Sequence, residues 1–113
     1  MKTSSAKAKG RRAAQQAKQM ICEKFSLDSE DIVVTSSGDT GEDLKLSPVA
    51  RERFPFTIEC KNQERLNIWK AYEQAIGHSQ HKPIVIFKRN KSEMMCALKF
   101  EDFLEVINDK NNK

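Results

Sequence analysis

The chain has 113 residues, 38% of them hydrophobic and 32% charged, with a net charge of +4. That suits one domain with a modest core. No apolar run approaches the ~20 residues that span a bilayer, and no apolar segment follows the basic N-terminus as in a secretory signal. Cys22, Cys60 and Cys96 are odd in number, far apart and outside any C-x-x-C pair. They argue against a disulfide framework or a zinc site and for a reducing, cytoplasmic setting.

Residues 1–10 are rich in Ser, Ala and Lys and are expected to form a flexible basic arm, with a single domain over 11–108 and a loose tail over 109–113. From Arg11 to about Phe25, the apolar residues Ala13, Ala17, Met20, Ile21 and Phe25 recur at helical spacing and predict a buried stripe. A turn over Leu27–Asp31 leads into a short strand, Ile32–Val34. The polar, glycine-containing run Ser36–Gly41 predicts a tight turn. Asp43–Leu46 predicts a second strand, paired with the first or with the one that follows. Ser47–Arg53 is a connection. Phe54–Lys61 is a third strand, with Pro55 near its start, where proline is tolerated.

Asn62 can cap a helix over Gln63–Ile76 whose apolar side is Leu66, Trp69, Tyr72 and Ile76, and Gly77 can stop it. The nearly all-apolar "PIVIFK" suits a central strand. After a charged turn over Arg89–Ser92 come a strand over Glu93–Lys99 and a closing amphipathic helix, Glu101–Asn108, built on Phe103, Leu104 and Ile107. The order predicts an α/β fold: a mixed central sheet flanked by helices, its early strands followed by a helical crossover into a buried strand.

Charge is unevenly placed. Lys2, Lys7, Lys9, Arg11, Arg12 and Lys18 all precede the first acidic residue, Glu23. Such an arm can contact phosphates, or it can be a solubilising tail. It lacks the large apolar residues that a membrane surface would take up.

Along the third strand Glu59 and Lys61 share a face, because side chains alternate, while Cys60 points the other way. An ordinary ion pair is one reading and half of an active site is the other. Asp43 precedes Glu59 by sixteen positions. Two carboxylates suffice for Mg²⁺, which prefers oxygen ligands and keeps several waters. Such a cation lowers the pKa of bound water and neutralises charge on a phosphate. Asp43 and Glu59 would supply the ligands, and the backbone carbonyl of Cys60 a third oxygen. Lys61 would orient the attacking water or stabilise the pentacovalent phosphate.

The pattern "GEDLKLS" followed by "FPFTIECKNQE", with its order of elements, resembles the PD-(D/E)xK nuclease superfamily and within it the small phage and archaeal Holliday junction resolvases. The resemblance covers about Arg11 to Phe87. It implies a restriction-endonuclease-like αβββαβ core, Mg²⁺ as cofactor with Mn²⁺ as substitute, branched DNA as substrate and a homodimer with two active sites. It also points to Glu23 as a further acid on the first helix and to Gln74 as a glutamine near the site. Glu42 stands where the superfamily often has proline and is a rival for the role of Asp43. A nickase or flap endonuclease of the same superfamily, or a non-catalytic nucleic-acid-binding protein of the same fold, remains open.

Lys7, Lys9, Arg11, Arg12 and Lys45 are the first candidates for DNA contact. Arg51, Arg53, Arg65, Lys88, Arg89 and Lys91 add scattered basic charge. Trp69 and Tyr72 can stack on bases, but their helical spacing favours core. His78 and His81 lack a surrounding ligand cluster, and Ser36 and Ser37 are explained by turn chemistry.

Overall fold

A computed structural model describes residues 2–35, 43–77 and 81–111, with side chains from 8 to 109. Helix α1 spans Lys2–Phe25, strands β1 Ile32–Val34 and β2 Leu44–Leu46, helix α2 Pro48–Arg53, and strand β3 Phe56–Asn62. Helix α3 (Ile68–Ile76), strands β4 (Lys82–Lys88) and β5 (Met95–Ala97) and helix α4 (Phe100–Asn111) follow. β1 and β2 form an antiparallel pair, and β3, β4 and β5 form a mixed sheet. β3 and β4 run parallel, joined by the α3 crossover, and β5 returns antiparallel to β4. "PIVIFK" thus lies in the central strand. The expected single sheet is divided in two.

Alternation along β3 and β4 builds the core. Phe56, Ile58 and Cys60 on β3 join Ile84 and Ile86 on β4, and both rows meet Ala14, Ala17 and Ile21 of α1. The alanines let α1 lie close to the sheet, whereas Met20, placed in the stripe by sequence spacing, is exposed. α3 covers the other face with Ala71 and Ala75. Phe54 stacks between Phe25 and Phe56, with ring centroids 6.2 and 5.1 Å apart, and ties the end of α1 to the start of β3.

Several boundaries differ from expectation. α1 begins at Lys2, not near Arg11, and α4 runs on to Asn111. The connection after β2 contains α2, because Ser47 caps it by accepting the Ala50 amide and Pro48 takes the first helical position. Asn62 does not cap α3. It ends β3, and Asn67 is the cap, accepting the Lys70 amide at 3.1 Å. Gly77 closes α3 in a right-handed conformation. α1 ends with Ser26 at φ 55 and the Leu27 amide bonded to the Cys22 carbonyl at 2.9 Å, a helix stop that glycine usually fills. Among the described residues no helix is long and apolar enough to cross a membrane.

Candidate functional site

β3 organises the site. Glu59 and Lys61 share the face opposite α1, and their charged groups meet at 3.4 Å. Glu59 is only 6% exposed, which is unusual for a carboxylate. Burial weakens solvent screening, so a cation beside Glu59 interacts with it more strongly than in water.

Asp43 stands at the open edge of β3. Its amide donates to the Ile58 carbonyl at 3.0 Å, and its Oδ2 accepts the Cys60 amide at 2.6 Å. One residue thereby satisfies two successive groups on that edge, as a neighbouring strand would. Its carbonyl accepts from the amide and the hydroxyl of Thr35, at 3.0 and 3.2 Å. Asp43 is therefore a link between the two sheets. Its carboxylate rests on the peptide that joins Glu59 to Cys60. The Cys60 thiol points to the core and is pushed well above its ordinary value, first by burial, then by the negative charge of Asp43 and Glu59. Both carboxylates therefore act on one point of β3.

The α3 side completes the arrangement. Lys61, Gln63, Leu66, Asn67, Lys70 and Gln74 line a small hollow of about 140 Å³ together with Ala71. Gln74 and Lys61 thus border the same hollow. Lys70 was not anticipated. Its signal was the four-residue spacing to Gln74, which puts both on one side of α3.

Other candidates lie elsewhere. Glu23 is exposed on α1, accepts from Gln19 at 3.2 Å, and borders a separate surface hollow with Arg12, Lys18 and Cys22. Among the described residues no three His, Cys, Asp or Glu side chains stand close enough to hold one metal ion, so Glu23 does not join Asp43 and Glu59 in such a group. Arg11, Arg12 and Lys45 are exposed and Lys9 is half-buried. Glu42, Ser36, Ser37, His78 and the side chain of Lys7 lie outside the described residues.

Trp69 departs most from expectation. It is 81% exposed, because Ala71 and Ala75 form the buried side of α3 and residue 69 lies on the far side. Ile76 is likewise exposed, while Tyr72 is half-buried.

Comparison of the chain with protein-family models, with curated proteins and with solved structures finds no match.

Proposed function

We propose that this chain is a Mg²⁺-dependent endodeoxyribonuclease of the PD-(D/E)xK type, with branched DNA such as a four-way junction as its substrate. The observation that carries this reading is the meeting of Asp43 with the Glu59–Cys60 peptide beside the Glu59–Lys61 pair. The element order and the β3–α3–β4 parallel crossover are compatible with the αβββαβ core that the sequence pattern implies.

The carboxylates of Asp43, just before β2, and of Glu59, on β3, are a fitting donor set for Mg²⁺, and Mn²⁺ accepts the same oxygens. Asp43 and Glu59 would hold the ion, with the Cys60 carbonyl as a further oxygen. When bound, it supplies Lewis acidity toward a phosphate oxygen and a water molecule.

The remaining work falls to the chain's own groups. The Lys61 ammonium orients water by hydrogen bonding and opposes negative charge gathering on the phosphate. Gln74, with a donor and an acceptor on one amide, can hold that water or a phosphate oxygen across the hollow it shares with Lys61. Lys70 adds a second positive charge there. Arg11, Arg12 and Lys45 offer exposed phosphate contacts that set position without reading bases. Selectivity for a branch would then come from shape and phosphate spacing.

A second reading also has an observation behind it. The Asp43 carboxylate accepts the Cys60 amide and Glu59 pairs with Lys61, so both carboxylates have partners within the fold without a metal, as in a non-catalytic nucleic-acid-binding protein whose contacts come from its basic residues. The deciding experiment incubates a labelled four-way junction and a linear duplex with the protein, with and without Mg²⁺ or Mn²⁺. The nuclease reading expects Mg²⁺-dependent cutting of the junction that Lys61→Ala abolishes. Binding without cutting under every metal condition selects the second reading. Equal cutting of both DNAs retains the nuclease, in its nickase or flap-cutting forms, and removes the preference for junctions.

A further inference from the structure

α3 borders two hollows of different character. Lys61, Lys70 and Gln74 line the one at the candidate site. Trp69, Tyr72, Lys99 and Phe100 line the other, of about 340 Å³. A third hollow, of about 450 Å³, adjoins both, sharing Gln63 and Leu66 with the first and Ile68 with the second. Lys88 and Arg89, at and just past the end of β4, line it. Trp69 is 81% exposed and Phe100 73%, and Phe100 begins an outward stripe of α4 that continues through Phe103, Leu104 and Ile107. The opposite side of α4 holds the helix to the body: Asp102 is buried, and Glu105 meets the Lys82 ammonium at 2.7 Å. Among the described residues Lys99 is the one charged side chain that lines the aromatic hollow.

We propose that the three hollows form one track for an unpaired strand of nucleic acid, running from Lys61 past Lys88 and Arg89 to a base-stacking platform at Trp69 and Phe100. A nucleotide joins one negative charge to one flat ring, and Lys99 beside two exposed aromatic rings offers the complement of each. Along the track Lys61, Lys70, Lys88, Arg89 and Lys99 stand against Glu64 and Glu93, and Glu64 is taken up by the Asn90 amide at 2.6 Å. Lys61 also pairs with Glu59, and exposed Glu73 and Glu101 line none of the three hollows. The excess of charge is positive, as a phosphate backbone requires. A flat bilayer cannot follow cations into hollows, whereas a flexible single strand can. In a duplex the bases are stacked on one another, so an unpaired base is the one free to lie on Trp69. Stacking tolerates every base, so such a platform selects unpaired nucleotides without reading sequence.

The inference rests on reading the chain as a nucleic-acid-binding protein, which the nuclease and its non-catalytic rival share, and it needs neither metal nor cutting. Trp69 is the sole tryptophan, so its emission reports the platform directly. The full chain is titrated in EDTA with an oligothymidylate of about 12 nucleotides, with a blunt duplex of the same length and with phosphatidylglycerol vesicles. The single strand is expected to quench Trp69 emission, and the duplex to quench it far less at equal occupancy, with occupancy read from the anisotropy of labelled DNA. Trp69→Ala is expected to weaken single-strand binding ~5–150-fold and leave duplex binding unchanged, while Trp69→Phe retains most of the affinity. The double variant Lys88→Ala/Arg89→Ala is expected to lower the slope of log affinity against log salt by about 1.4. Circular dichroism checks folding, and Phe100→Ala decides the matter if Trp69→Ala does not fold. A bound single strand that leaves the emission unchanged overturns the proposal, as does a single strand that fails to bind or an emission that only vesicles alter. So does a folded Trp69→Ala chain that binds single strand like the wild type. Mg²⁺-dependent junction cutting with unquenched Trp69 removes the platform and keeps the nuclease reading. Quenching by a protein that cuts no DNA keeps the platform and removes the nuclease.

Discussion

Asp43→Ala tests whether a side chain joins the two sheets. The substitution leaves the backbone bond to Ile58 in place and removes the 2.6 Å bond from the Cys60 amide. Cys60 is buried, so its N–H would lose a charged acceptor and keep little access to water. Loss of a hydrogen bond to a charged group costs about 1.5–3 kcal/mol. Unfolding entropy of ~2.1 cal/mol/K per residue makes 2 kcal/mol about 8 °C in Tm for a chain of this length. Asp43→Asn keeps an acceptor oxygen and gives up the charge, so its expected loss is near 1 kcal/mol, or about 4 °C. Thermal melts followed by circular dichroism measure both. If the nuclease reading holds, Asp43→Asn also lowers Mg²⁺-dependent cutting by at least ~100-fold despite its milder melt, because a neutral amide is a poor ligand for a hard cation. An Asp43→Ala protein that melts with the wild type would refute the claim that this carboxylate fastens β3 to β2.

Ser26→Gly is expected to add about 0.5–1 kcal/mol, since glycine takes the left-handed conformation at the end of α1 without steric cost; urea unfolding measures it. Glu23→Ala is expected to change stability by less than about 0.5 kcal/mol and leave junction cutting intact, because Glu23 is exposed and its carboxylate accepts from Gln19 on the same helix. A large loss of cutting would return Glu23 to the site. The buried Cys60 thiol has a raised pKa, so the unfolded chain gives up this proton first as pH rises. Its contribution to stability is full below its ordinary value of 9.0 and declines above it, toward the raised folded value. Urea midpoints across this range are expected to fall less steeply in Cys60→Ala than in the wild type. In thiol labelling of the native protein, exposed Cys96 reacts and Cys60 waits for unfolding.

Much of the architecture was legible in local pattern. The stripe Ala13, Ala17 and Ile21, the run "PIVIFK" and the alternation over Phe56–Lys61 each encode one element, because the helical period and the two-residue strand period need only neighbouring residues to read. The shared face of Glu59 and Lys61 follows from the same alternation. α2 was missed although its signal was present, a serine cap followed by proline. The onset of α3 was misjudged because Asn62 and Asn67 are equally good caps in isolation. Pairing of β3 with β4 prolongs the strand through Asn62 and leaves the capping role to Asn67.

Sequence by itself determined which faces were apolar. It did not determine which apolar face would be covered. Trp69 and the α4 stripe have the same periodicity as a core, yet α3 buries its alanines instead and α4 is fastened by Asp102 and Glu105. Likewise, that Asp43 spends an oxygen on the Cys60 amide was decided by the approach of β2 to the open edge of β3. Periodicity is a property of one segment, whereas coverage and contact depend on the relative placement of two. That placement is set by the sum of all packing in the folded chain.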